Sequence, residues 1–220
     1  MITLFYNYYR PTDALRAAEI DACFAANAGN AGVGRMVVVA EPFVTLPEPE
    51  SSRIVREETK DRPSYVDIFR IWERYCDGVC VLLNSDCFLD ARDTPKLLML
   101  KEQEFAAILR REIYGAVPPR TDWLRTLKTR RKHEGDLQDC WAFRGAVPKG
   151  LSLDFRMGVP GCDNRIAGEF HKAGYNVFNP WRDIRLYHLH RDNKRPYTEA
   201  DRVAPPYYFP EASPKGKLRA

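Results

Sequence analysis

Two short polar runs follow apolar ones: Asn7 to Arg10 after an apolar stretch that starts at Ile2, and Asn84-Ser85-Asp86 after Val79 to Leu83. If those stretches are strands of an open α/β sheet, both runs sit at carboxyl ends, where ligands collect. Asp86 could hold a divalent cation there, because Mg²⁺ and Mn²⁺ take one or two carboxylates together with substrate phosphates. It could equally cap the turn that follows. His188 and His190 flank Leu189, so on a strand they share a face. They could ligate a metal or orient a phosphate, or simply form the wet face of an edge strand. A third run, Pro160-Gly161-Cys162-Asp163-Asn164-Arg165, delivers Asp163 to the start of a helix. A carboxylate held there could draw the proton from an attacking hydroxyl, and it could also serve as the N-cap. Arg62 precedes Pro63, which favours extended backbone and could aim the guanidinium inward.

The elements that must position these residues alternate strand and helix through the first half, as in α/β proteins. Strands are expected over 2–9, 36–40, 79–83 and 105–109. Helices are expected over 13–26, stopping near Gly29, and from Ser64 as N-cap through Tyr75; a surface loop covers 47–52. In the second half, 139–143 reads as a short aromatic strand, 163–173 as a helix stopped by Gly174, and 176–178 and 184–190 as strands. The tail after Tyr197, rich in Pro, Lys and Tyr, reads as a linker to a further domain. No internal repeat is found.

A chain of 220 residues with 45% hydrophobic content can bury one full core. Its 34 basic and 30 acidic residues nearly balance, so no global field points to nucleic acid or a membrane surface. The basic run Arg120, Arg125, Lys128, Arg130, Arg131 and Lys132, with Trp123 inside it, could attract an anionic polymer, or be a solvated loop. The six cysteines form no CxxC pair and no dense disulfide pattern, which suits a reducing compartment. Neither a charged leader nor a run of about 18 apolar residues is found, so the expectation is a cytoplasmic protein without a transmembrane segment. GxGxxG, the P-loop and GxSxG are all missing, and dehydrogenase, ATPase and hydrolase readings lose their usual support.

The order of motifs resembles GT-A glycosyltransferase domains of large algal (chlorella) viruses and of related microbes. The runs that carry the resemblance are Arg62-Pro63-Ser64-Tyr65, Asn84-Ser85-Asp86, Gln138-Asp139-Cys140-Trp141-Ala142-Phe143, Gly158 to Arg165, and Gly174-Tyr175 through Asn179-Pro180 to His188-Leu189-His190. It implies a mixed, mostly parallel GT-A-like α/β sheet flanked by helices, as one domain over 1–200. A Rossmann-like nucleotide-sugar half would cover 1–115, an acceptor half 116–200, and a tail or linker 201–220. It implies Mn²⁺ or Mg²⁺ at Asp86 with His188 or His190, although GT-A enzymes usually carry Asp-x-Asp where this chain has Asn84. The donor would be a UDP- or GDP-linked sugar bound by Asn7, Arg10, Arg62, Asn84 and Ser85. Asp163 would be the base of an inverting transfer, and Asp139 with Trp141 would hold a glycan acceptor. Two other readings are a non-catalytic nucleotide- or glycan-binding domain of a larger protein, and a nucleic-acid-binding domain using residues 120–132.

Overall fold

The computed structural model describes residues 1–113, 138–189 and 197–210. β1 (Ile2–Asn7), β2 (Arg35–Ala40), β3 (Ile54–Glu58) and β4 (Val79–Leu83) form a parallel unit in the order β3-β2-β1-β4. The near-continuous apolar character of β1, β2 and β4 reflects burial on both faces. β7 (Gln138–Arg144) lies antiparallel to β4, and β6 (Glu104–Ile113) antiparallel to β7. β8 (Asn176–Phe178) pairs in parallel with the first part of β6, and β9 (Leu186–Leu189) with its second part. β5 (Cys87–Leu89) closes the order, antiparallel to β9. The mixed, mostly parallel α/β class expected from the sequence is what the chain adopts.

Helices cover both faces. α1 (Ala14–Ala28) packs Ile20, Cys23 and Phe24 on one face of the sheet, beside Leu4, Tyr6 and Val38. α2 (Tyr65–Tyr75) and α3 (Cys162–Lys172) cover the other. The α2 positions 65, 68, 69 and 72 are all buried, the spacing of one helical stripe. Its start is a capping box: Ser64 Oγ accepts from the Asp67 N–H, and Asp67 accepts from the Ser64 N–H. Between these helices and the sheet lies an aromatic stack, with Trp72 on Phe143 at 4.4 Å and Phe105 on Phe170 at 4.0 Å.

Two strands are not among those expected from the sequence: β3 is an edge strand whose charged Arg56, Glu57 and Glu58 break the apolar pattern, and β5 has only three residues. β7 inserts between β4 and β6, so strands from before and after residue 115 share one sheet. The segment 203–208 is tied to α3 and to the turn before it: Val203 N–H donates to the Pro160 carbonyl and Tyr208 N–H to that of Asn164. Among the described residues, no helix is long and apolar enough to cross a membrane, and all six cysteines are free.

Candidate functional site

The carboxyl ends of β1 and β4, the amino end of β7 and the first turns of α1 and α3 meet around one cavity of about 850 Å³. The parallel pairing of β1 with β4 and the antiparallel return of β7 bring Asn7, Asn84 and Asp139 to this edge. The loop after β4 is fixed from three sides. The Tyr6 hydroxyl donates to the Ser85 carbonyl, the Leu189 N–H to that of Asp86, and the Asn84 N–H to that of Asp139.

A line of alternating charges runs along the cavity wall. Arg16 donates to Glu19 at 2.9 Å and to Asp86 Oδ2 at 2.5 Å. His188 bridges Asp86, through Nε2 at 3.0 Å, and Glu112, through Nδ1 at 2.6 Å. Arg110 joins Glu112 at 2.7 Å to Asp139 at 2.6 Å, and Asn84 Nδ2 donates to the other Asp139 oxygen at 2.5 Å. Burial would raise the Asp86 carboxyl, but His188 and Arg16 hold it well below the usual carboxylate range. Burial would lower His188; Asp86 and Glu112 instead push it up to about 9, so it is an imidazolium at neutral pH. Glu112 is drawn down to about 2 by His188 and Arg110 against its own desolvation.

Asp163 stands apart from this line. It is half-buried, and desolvation with the nearby charge of Asp139 raises it to about 7, although the backbone N–H groups of Asp163 and Asn164 pull the other way. A carboxylate poised there can exchange a proton with a bound hydroxyl at neutral pH. The N-cap of α3 is Gly161, in left-handed backbone with φ of 80°, and Asp163 lies inside the first turn. The capping alternative for Asp163 is thereby corrected: glycine takes the cap conformation because it has no Cβ.

Of the expected site residues, Asn7, Arg62, Asn84, Ser85, Asp86, Asp139, Asp163 and His188 all line the cavity. Arg10 does not. It pairs with Asp21 at 2.6 Å and its side chain is 55% exposed. Trp141 does not either: it is 2% exposed, edge-on to Tyr65, inside the core under α2 and α3. Strand alternation puts Asp139 and Trp141 on one face, but only Asp139, at the strand end, clears the core. The β6–β7 register shifts between Ile108 and Leu109, opposite Asp139, and such a bulge re-aims side chains at a sheet rim. His190 and the basic run 120–132 lie outside the described residues.

Arg16, Arg110 and Glu112 complete the charged line without having been read from the sequence. Arg110 and Glu112 share a strand face at spacing two, but the run Arg110-Arg111-Glu112 looks like a loop by composition. Arg16 and Glu19 sit three apart in a helix whose apolar face hides that Glu19 is buried and Arg16 half-buried.

The donors at Asp86 and His188 fit a divalent ion in part. Oδ2 and Nε2 are 3.0 Å apart, the separation of adjacent ligands around an ion with bonds of about 2.0–2.1 Å. Glu112 on Nδ1 is the outer partner that ligating histidines usually have. Arg16 on the same oxygen is a competing cation, and the His188 imidazolium would have to release its Nε2 proton before it could ligate. Among the described residues, no group of three or more His, Cys, Asp or Glu forms a complete site, so a diphosphate and water would supply the remaining ligands.

No family model matches the sequence, and no curated protein matches it significantly. Among solved structures, one match is the crystal structure of GalNAc-T7 with UDP, GalNAc and Mn²⁺. It has 11% identity and a TM-score of 0.49, over 87% of this chain and 43% of that one. The chain thus spans less than half the length of that structure.

Proposed function

We infer that this chain is a GT-A type glycosyltransferase that moves a sugar from a UDP- or GDP-linked donor to a hydroxyl acceptor with inversion. The observation that carries this reading is the presence of two opposite chemistries in one cavity. Its lining holds Asp86 with the cationic groups His188 and Arg16, and also Asp163, a carboxylate with its pKa near 7. Asp86 would hold Mn²⁺ or Mg²⁺, joined by His188 only once Nε2 has lost its proton, and the ion when bound would offset charge on a leaving diphosphate. Arg16, on the same oxygen as His188, adds fixed positive charge to that side. Asn7, Asn84 and Ser85 border the nucleotide end. Arg62 lies beside Gly158 and lines the same cavity as Asp163.

In the transfer, Asp163 takes the acceptor proton while the acceptor oxygen bonds the anomeric carbon and the bond from that carbon to the diphosphate oxygen breaks. A positioned base of this kind contributes roughly 10²- to 10⁴-fold. Asp163→Asn is expected to lower transfer by that range while nucleotide affinity, measured by titration calorimetry, stays within about twofold. An active Asp163→Asn enzyme, or a product that retains anomeric configuration, would overturn the mechanism. A domain that binds without turnover would bind the nucleotide sugar and release no nucleoside diphosphate.

A further inference from the structure

The cavity has a second kind of wall, made by residues that follow the last described strand. Tyr197, Arg202, Tyr207 and Phe209 all line it. Phe209 is 51% exposed, and its ring stands edge-on to Tyr207 at 6.4 Å and 72°. Phe209 is exposed and Tyr207 half-buried, so together they present an apolar patch to a cavity that charged groups also line.

These rings are held in place relative to Asp163. The segment 203–208 runs along α3, tied by the Val203 and Tyr208 N–H groups. Arg165 adds two bonds, donating to the Ala204 and Pro205 carbonyls at 2.9 and 2.8 Å. Tyr208 stacks on His171 at 4.0 Å. The Tyr207 hydroxyl donates to the Val203 carbonyl, and its ring rests on Gly161, where a Cβ would come within 3.0 Å of the phenol oxygen. Gly161 is two residues before Asp163, so the aromatic wall and the carboxylate share one rigid turn.

A ligand that meets both needs a hydroxyl for Asp163 and an apolar face for the rings. A pyranose has both, since its ring C–H groups gather on one face and its hydroxyls on the rim; a serine side chain offers the hydroxyl without the face. We propose that Tyr207 and Phe209 form the platform for the acceptor sugar, and that the acceptor is a terminal hexopyranose of a glycan. The proposal rests on the glycosyltransferase reading above. Its chemistry is that transfer: the sugar hydroxyl gives its proton to Asp163, and the nucleoside diphosphate leaves with the electron pair of the broken bond.

The experiment uses the full chain with UDP or GDP and Mn²⁺, probed by saturation-transfer NMR with methyl glycosides of the common hexoses and N-acetylhexosamines, and in parallel with a serine/threonine peptide. The expected result is saturation of glycoside ring protons in the wild type, weakened about three- to tenfold in affinity by Phe209→Ala and Tyr207→Ala. Phe209→Tyr should restore it and Phe209→Leu should not, a pattern that loss of folding cannot produce. Glycoside binding indifferent to the rings, no glycoside binding at all, or binding of the peptide instead would overturn the proposal. A wild-type protein whose melting temperature responds to neither nucleotide would overturn the glycosyltransferase reading itself, an outcome read before any glycoside is added.

Discussion

Asp163 carries a stability cost that its proposed role explains. Its folded pKa of about 7 lies above the value near 3.9 of an unfolded aspartate. The native state therefore keeps the proton through that interval, and stability falls as pH rises across it. Asp163→Asn, neutral at every pH, is expected to melt with the wild type near about pH 4 and above it beyond about pH 7. The gain there should be at least about 1 kcal/mol, or roughly 2–4 °C. That figure is discounted because the side chain is only half-buried. In the wild type, transfer should rise with pH through about 7 and then level off, the profile of a base that must first ionise. Asp86 behaves oppositely: its charge is held by His188 and Arg16, and removing one member of such a buried group costs about 3–5 kcal/mol. Asp86→Asn should therefore lose stability as well as transfer. The discriminating measurement is nucleotide affinity with and without Mn²⁺, which in Asp86→Asn should no longer differ. A variant whose affinity still responds to Mn²⁺ would move the ion elsewhere.

Among the elements, α3 carries Asp163 and the segment 203–208, and its Gly168 puts two effects in competition. Glycine inside a helix is about 0.5–1 kcal/mol worse than alanine, so propensity alone would make Gly168→Ala stabilising. A Cβ there would lie 2.6 Å from the Pro206 carbonyl oxygen, a backbone atom that cannot swing aside, and the clash should win. Gly168→Ala is expected to lift the segment from α3, read as lost hydrogen-exchange protection of the Tyr208 N–H, which bonds the Asn164 carbonyl in the native fold. Unchanged protection would show that the segment can shift at little cost. At the other end of the site, the capping box of α2 fixes the chain just after Arg62, and Ser64→Ala should cost about 1 kcal/mol in urea denaturation.

At the scale of the whole molecule, the aromatic stack between the sheet and α2 and α3 joins the parallel unit to the strands of the second half. Phe170 touches Phe69, Phe105, Phe143 and Tyr175, so it contacts α2, β6, β7 and the start of β8 from within α3. Phe170→Ala removes a fully buried ring from this junction, and such truncations cost about 3–5 kcal/mol. The expected outcome is a single lowered urea midpoint seen equally by near- and far-ultraviolet circular dichroism. Separate transitions would mean that the parallel unit folds independently of the rest.

The sequence by itself determined the elements whose patterns are local. The apolar run of β4 and the i, i+3, i+4, i+7 stripe of α2 are fixed by neighbours in the chain, and Ser64 was legible as a cap because the cap lies three residues from its partner. The edge positions of Asn7, Asn84 and Asp86 were legible from the polar residues that follow apolar runs, and that of Asp163 from the Pro160-Gly161 turn before a helix. Tertiary structure alone decided which of these residues meet. Arg16 reaches Asp86 across 70 positions and His188 across 102, distances over which periodicity carries no information. It also decided that Arg10 turns to Asp21 and that Trp141 faces the helices. The shift of Asp163 to about 7 depends on desolvation and on Asp139. Neither exists until the bulged β7 and the first turn of α3 are packed against the same cavity.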